Sequence, residues 1–229
     1  MGLERRDLER HTYGDYLAWP EDVRYELIDG VAYAMSPAPP VSHQEVLLEL
    51  SRQIDEALDE SACRVLIAPL DVRLPRGDEA DDAIDTVVQP DVLVVCDPAR
   101  IDERGVRGAP DWIIEVLSPA TAAHDQVTKR ERYERAGVRE YWLAHPTDRI
   151  VIAYRLESGR YGRPDIAELT SETAPEAAPG GWSSTGSASR GGKARTRYAA
   201  HGQRNRPAKD RDREPSRPRR HPVINHQSA

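Results

Sequence analysis

Two carboxylates interrupt apolar segments of this chain. Glu115 lies inside residues 112–117, WIIEVL, and Asp91 follows Pro90 within residues 87–95, VVQPDVLVV. An unpaired buried carboxylate is costly, so a positive group is expected to face each of them. Carboxylates on two neighbouring strands suit a hard cation, and no Cys or His accompanies them at ligand spacing. The pattern therefore predicts that Asp91 and Glu115 bind Mg²⁺ or Mn²⁺ rather than zinc.

A stripe of polar side chains follows the Glu115 segment. Asp125, Lys129 and Tyr133 are spaced four residues apart, which places them on one face of a helix. If that face overlooks the metal, Lys129 can position or deprotonate an attacking water and offset phosphate charge, while the metal stabilises the developing oxyanion. The chemistry indicated is metal-assisted phosphodiester hydrolysis, with Asp91, Glu115 and Lys129 as the catalytic residues.

The elements that must position these residues can be predicted from hydrophobic periodicity. YELIDGVAYAM contains two alternating strands around Asp29-Gly30, a dipeptide typical of a type I′ turn, which predicts a hairpin over 24–35. Ser42 and Glu45 have the spacing of a capping box, and apolar residues then recur on one helical face. The sequence therefore predicts an amphipathic helix over 43–60.

The middle of the chain alternates between strand and helix patterns. Three apolar runs rich in β-branched residues, RVLIAPLDVRL, VVQPDVLVV and DWIIEVLS, predict central strands. The segment TAAHDQVTKRERYERAG predicts a helix that ends at Gly137, and EYWLAHP and RIVIAYRL predict further strands. The order of helix, mixed sheet, helix and strands indicates an α/β fold.

These motifs, taken in order, resemble one known family. They are YELIDGVAYAMSPAP, His43-Gln44, QPDVLVV, IIEVLSPAT, then Asp125, Lys129 and Tyr133, and finally GVREYWLAHP, spread over residues 25 to about 155. Each motif alone is weak, but their order and spacing together are specific. The chain resembles the Uma-type restriction endonucleases, a branch of the PD-(D/E)XK nuclease superfamily.

The resemblance implies a restriction-endonuclease-like core, in which a mixed β-sheet is flanked by helices and holds a metal site at its centre. It implies a Mg²⁺- or Mn²⁺-dependent DNA endonuclease, with DNA as its partner and a homodimer as one open assembly. Glu26, His43, Asp125 and Tyr133 match positions near the site, which implies supporting roles.

The sequence departs from the superfamily pattern at one position. Leu117 lies two residues after Glu115, where the short motif would have a lysine. The resemblance implies that Lys129 has taken over the role of that lysine from the following helix.

Each candidate residue also has a purely structural interpretation. Asp91 can be a turn carboxylate after proline, and Glu115 can form a buried ion pair with an arginine. Lys129 can be one more charge on a solvated helix face, His43 a surface or capping residue, and Glu26 a cross-hairpin partner. The function has an alternative too: a catalytically inactive nuclease-fold module that binds nucleic acid or protein.

Composition limits the class of protein. No stretch of the 229 residues approaches the roughly 20 consecutive apolar residues of a membrane span. The N-terminus lacks the apolar segment of a secretory signal, which predicts a cytoplasmic protein. Cys63 and Cys96 each adjoin an apolar run and are predicted to be reduced core residues rather than a disulfide.

Charge is divided unevenly along the chain. Residues 174–229 carry 12 Lys and Arg against 4 Asp and Glu, which leaves 20 against 35 for the predicted nuclease-like domain, 1–173. No Leu, Ile, Val, Met or Phe occurs from Gly180 to Pro222, which predicts a disordered tail. This basic tail is either an arm that supplies DNA affinity or the product of a shifted reading frame. The acidic domain is the observation that favours the inactive binding module.

Overall fold

The computed structural model describes residues 5–20, 24–35, 38–58 and 61–170. Over these residues the chain forms two mixed β-sheets and a few helices. The predicted domain boundary at residue 173 and the predicted basic tail, 174–229, lie outside the described residues and stay predictions. None of the helices in the described part is long and apolar enough to cross a membrane.

The N-terminal hairpin forms where the sequence predicts it. A short helix, α1 (Tyr13–Tyr16), precedes strands β1 (Tyr25–Ile28) and β2 (Val31–Ala34), which pair antiparallel. The two turn residues both adopt left-handed backbone angles, with φ of 49° at Asp29 and 78° at Gly30. A type I′ turn requires positive φ at both central positions, which explains why the Asp-Gly dipeptide fits here.

Helix α2 (Val41–Ala57) begins before the predicted start, and the predicted capping box is wrong. The N-cap residue is Pro40, and no side chain caps the helix. The backbone N–H groups of His43 and Gln44 both donate to the carbonyl oxygen of Pro40. Ser42 therefore lies inside the first turn, where it cannot act as an N-cap.

Two of the predicted strands are each divided at a proline. RVLIAPLDVRL forms β3 (Arg64–Ile67) and β4 (Val72–Arg73), with a cis peptide bond at Ala68-Pro69 between them. Likewise, VVQPDVLVV forms β5 (Val87–Val88) and β6 (Val92–Val95) on either side of Pro90. The prediction of central strands holds for β6 but is wrong for β3, which lies at a sheet edge.

The remaining strands are β7 (Ile101–Asp102), β8 (Gly105–Arg107), β9 (Trp112–Val116), β10 (Glu140–His145), β11 (Ile150–Glu157), β12 (Arg160–Tyr161) and β13 (Asp165–Glu168). Between β9 and β10, helix α3 contains a π-helical part, His124–Lys129, followed by an α-helical part, Arg130–Ala136. It ends at Gly137, which has a φ of 90°, as the sequence predicts. Short 3₁₀ turns occupy Asp81–Ala83 and Pro98–Arg100.

The strands form two sheets. The first has the order β2-β1-β5-β4-β8-β7, and the second has the order β12-β11-β10-β9-β6-β3, with β13 paired to β11. In the second sheet β9 is parallel to β10 but antiparallel to β6. Both sheets are therefore mixed, as the α/β prediction requires.

The second sheet lies between two helices. On one face Leu47, Leu50 and Ile54 of α2 pack against residues of β6, β9 and β10. On the other face Tyr133 of α3 packs in a separate cluster that includes Ile113. Alternate residues of a strand point to opposite faces. Glu115 therefore lies on the α3 side of the sheet.

The prediction of two reduced cysteines is wrong, because Cys63 and Cys96 form a disulfide. β3 and β6 pair antiparallel with Arg64 opposite Val95. Continuing this register by one residue places Cys63 opposite Cys96, with their Cα atoms 3.8 Å apart. The pairing between distant strands thus brings together two cysteines that are 33 residues apart in the chain.

Candidate active site

Asp91 directly precedes β6, and Glu115 lies on the adjacent antiparallel strand β9. The last pair of β6 and β9 at this end is Val92 with Ile114, and Asp91 and Glu115 each lie one residue beyond it. The two carboxylates are close enough that the negative charge of Asp91 contributes to raising the pKa of Glu115. The backbone N–H of Val116 also donates to Oδ2 of Asp91 over 2.8 Å, which links the two strands at this point.

Lys129 contacts three carboxylates at this site. Its Nζ lies 2.8 Å from Glu26 and 3.1 Å from Glu115. A third carboxylate, that of Asp125, is 3.5 Å away. Only 5% of Lys129 is exposed, so the interpretation of this residue as a solvated helix charge is wrong. The buried ion pair of Glu115 is formed with a lysine and not with an arginine.

The π-helical part of α3 positions these polar side chains. The backbone N–H of Arg130 donates to the carbonyl oxygen of Asp125, five residues earlier. The hydroxyl of Tyr141 on β10 donates to the same oxygen over 3.0 Å. Asp125 and Lys129 consequently face the sheet, while Val127 between them is exposed. Such π turns occur frequently at functional sites in proteins.

Two further side chains each hold one oxygen of a site carboxylate. The hydroxyl of Tyr133 donates to Oε1 of Glu115 over 2.9 Å. His43 is buried, and its Nε2 lies 3.2 Å from Oδ2 of Asp91. These contacts of the two carboxylates use Oδ2 of Asp91 and Oε1 of Glu115. Each carboxylate is thus held through one of its oxygens.

Burial changes the proton affinity of the cluster. Burial raises the pKa of Glu115 well above 4.5; the charge of Lys129 opposes this rise, and the carboxylates of Asp125, Asp91 and Glu26 add to it. Burial is also the main cause of the raised pKa of Asp125. Burial on its own would lower the pKa of Lys129, but Glu115, Glu26 and Asp125 together hold it well above 10.5. Burial is thus the main reason why Glu115 and Asp125 hold a proton more readily than exposed carboxylates do.

Glu26 has a second contact besides Lys129. Its Oε1 accepts a hydrogen bond of 2.8 Å from the backbone N–H of Gln89. This bond joins β1 of the first sheet to the segment between β5 and β6. Glu26 is therefore a link between the two sheets at the floor of the site and not merely a cross-hairpin partner.

Leu117 is buried on the α3 side of the sheet, in the apolar cluster that contains Tyr133. A lysine is therefore absent from the strand position of the superfamily motif, and the cation near Glu115 comes from α3. The sequence shows this substitution, but only the contact of Lys129 with Glu115 shows where the positive charge lies.

The cluster forms the floor of a cavity of about 560 Å³. All the predicted site residues except Tyr133 line it. Two further lining residues were missed by the sequence analysis: Arg24 and Gln89. For Arg24 the available signal was its position two residues before Glu26, since such residues share a face of a strand. For Gln89 no comparable signal existed.

A hydrated divalent cation fits the donor set of this cavity. Within the described ranges no group of three or more His, Cys, Asp or Glu side chains is arranged to hold a metal. Mg²⁺, however, usually keeps several water ligands and is held by only one or two protein carboxylates. Asp91 and Glu115, which both line the cavity, meet that smaller requirement.

The fold and site define a class of protein: an α/β protein with a mixed sheet between helices and a lysine-carboxylate cluster below a cavity. A solved structure with the same fold is that of "a putative nuclease belonging to DUF820" from Anabaena variabilis. It is 23% identical to this chain with a TM-score of 0.54, and the match covers 69% of this chain and 84% of that one.

The chain belongs to the Uma2 family, described as "Putative restriction endonuclease", whose family model matches residues 13–188. It is also 30% identical over 121 residues to the uncharacterized protein slr1290 of Synechocystis sp.. That match covers 52% of this chain, and the chain spans 60% of the length of that relative. Nuclease is accordingly the class of protein that the family description supports.

Proposed function

We propose that this protein is a Mg²⁺- or Mn²⁺-dependent nuclease that hydrolyses phosphodiester bonds of DNA. In this proposal Asp91 and Glu115 hold the cation, and Lys129 supplies a fixed positive charge beside the reacting phosphate. The observation that carries the proposal is that two neighbouring carboxylates, Asp91 and Glu115, line one cavity beside a buried lysine.

The charge balance of the site supports a cation ligand. Four carboxylates, those of Glu26, Asp91, Glu115 and Asp125, line the cavity around one lysine. Buried charges of one sign are costly unless they are compensated or neutralised. The raised pKa of Glu115 indicates partial compensation by protons. A divalent cation would replace those protons and balance the charge more completely.

Each residue of the site has a distinct part in this chemistry. The cation, when bound, would polarise the phosphoryl group and make a bound water more acidic. Tyr133 holds Glu115 by one oxygen, and His43 lies against one oxygen of Asp91, while both carboxylates line the cavity. Lys129 has only hydrogen-bond donors and cannot bind a metal. Its charge can instead offset the negative charge of the phosphate in the transition state.

DNA is proposed as the substrate because the family is described as a restriction endonuclease family. The cytoplasmic location and the homodimer expected from the sequence stay predictions, since no observation on the described residues bears on them.

Calorimetric titration with Mg²⁺ and Mn²⁺ and a cleavage assay on plasmid and single-stranded DNA test the proposal together. Wild-type protein is expected to bind one or two cations and to cleave DNA only in their presence. Asp91→Asn and Glu115→Gln keep the shape of the side chain but remove the charge, and should lose both properties. Metal-independent cleavage, or cleavage that both variants retain, would contradict the proposed site.

The second candidate is a nuclease-fold module that binds nucleic acid or protein without hydrolysis. The observation in its favour is that the described residues lack a third side-chain ligand for a metal. For this candidate, no cation binding would be detected by calorimetry, and the protein would still retain DNA in a shift assay without cleaving it.

A further inference from the structure

We propose that the cavity takes an unpaired nucleotide, so that the substrate is single-stranded DNA or an unpaired segment within a duplex, with Arg24 binding its phosphate. This inference rests on the proposed nuclease function and names its substrate class. It draws on three features of the site: its depth, its apolar walls and an exposed arginine that forms no ion pair with the described carboxylates.

The depth of the reacting groups limits what can reach them. Only 3% of Glu115 and 3% of Glu26 are exposed. The cavity above them, about 560 Å³, is within the range of pockets that take one small-molecule ligand. A stacked duplex is stiff over much longer distances than this opening. A single strand can bend one nucleotide into the cavity, as enzymes acting on recessed nucleotides require.

The walls of the cavity are mainly apolar. Pro40 and Leu47 line one side, at the start of α2, and Ile67 and Pro69 line another, beside the β3–β4 connection. Ile67 is a large apolar side chain that is 48% exposed. The exterior of a duplex presents phosphates and sugars, which gain little from such walls. An unstacked base offers an apolar face that can pack against them.

Arg24 supplies a cation at the same cavity. Its backbone oxygen accepts a hydrogen bond from Met35, which extends the hairpin ladder by one pair beyond β1. Arg24 and Glu26 therefore point to the same face, and both line the cavity. Lys129 is buried among carboxylates, whereas Arg24 is exposed and makes no ion pair with the described carboxylates. Arg24 is thus available to bind a phosphate group.

The test compares one labelled oligonucleotide in three forms: single-stranded, in a perfect duplex, and in a duplex with an unpaired bulge. Cleavage with Mn²⁺ is measured for the full-length protein. Binding is measured separately by fluorescence anisotropy with Glu115→Gln, which keeps the cavity shape. We expect the single strand and the bulge to be cleaved and bound at least about tenfold better than the perfect duplex.

Variants test the two binding features. Arg24→Ala should weaken single-strand binding roughly tenfold, and Arg24→Lys should restore part of the loss. Ile67→Ser should weaken single-strand binding without affecting the duplex. The matched control is Arg163→Ala, which removes an exposed arginine that does not line the cavity and should change nothing.

The outcomes separate this inference from the proposed function. Equal cleavage or binding of the perfect duplex and the single strand would overturn the inference and leave the nuclease function intact. Preferential single-strand binding without metal-dependent cleavage by wild-type protein would support the cavity assignment and contradict the nuclease function. If Arg24→Ala binds the single strand as tightly as the protein with Arg24 does, the proposal that Arg24 binds the phosphate is wrong.

Discussion

Replacing Lys129 by methionine should destabilise the metal-free protein strongly. The ammonium lies between Glu26 and Glu115, at 2.8 and 3.1 Å, and Asp125 is 3.5 Å away. Methionine fills most of the volume but leaves these carboxylates buried and uncompensated. Removing one partner of a buried ion pair typically costs about 3–5 kcal/mol. In a chain of this size the melting temperature should fall by roughly 10 °C.

The loss of stability caused by Lys129→Met should depend on pH. Because the folded-state pKa of Glu115 is raised, its neutral form stabilises the fold fully below the unfolded value near 4.5. That stabilisation is lost as the pH rises through the folded value. Without Lys129 the pKa of Glu115 should rise further, and protonation can then replace the missing cation. The difference in unfolding free energy between wild type and Lys129→Met should therefore be large at pH 8 and small near pH 5.

Urea denaturation in the presence of a chelator at both pH values measures this difference. Arg135→Met is the matched control, since Arg135 is an exposed cation on the same helix. Its ion pairs are at the surface and should contribute less than about 1 kcal/mol. Equal stability of wild type and Lys129→Met at pH 8, or a difference that does not change with pH, would refute the account of the cluster.

Three further predictions concern the site and its supporting backbone. Lys129→Ala should reduce the rate of hydrolysis about a hundredfold or more at saturating metal but keep its metal affinity. Glu115→Ala should lose both hydrolysis and metal binding. Single-turnover assays measure the rates, and calorimetry measures the affinities. Metal affinity should rise from pH 6 to pH 8, because the cation competes with the proton that the raised pKa of Glu115 retains; a pH-independent titration would contradict this. Gly105→Ala should cost more than about 3 kcal/mol in urea denaturation, because φ is 116° and the new Cβ would lie 2.2 Å from the carbonyl oxygen of Asp71. Gly137→Ala, at a φ of 90° in open space, is its control and should cost about 1 kcal/mol.

Features that depend on neighbouring residues could be predicted from the sequence. Asp29-Gly30 gives the hairpin because few residues tolerate two successive positive φ angles. The apolar stripe of α2 and the C-terminal Gly137 of α3 follow from the same kind of local rule. Glu115 could be identified because a carboxylate within an apolar run needs a compensating partner. The α/β class follows from the order of these segments.

Features that depend on contacts between distant segments required the structure. The register of β6 against β9, which brings Asp91 near Glu115, depends on how whole strands bury their apolar faces. The same is true of the register that pairs Cys63 with Cys96, which local apolar context had suggested to be reduced.

The sequence by itself determined the fold class, the hairpin and the chemical types of the candidate site residues, because turn chemistry and periodicity act within a few residues. The tertiary structure decided that the charge of Lys129 is buried among three carboxylates and that Arg24 lines the same cavity. These relations depend on packing between elements far apart in the chain. Local sequence patterns do not encode that packing.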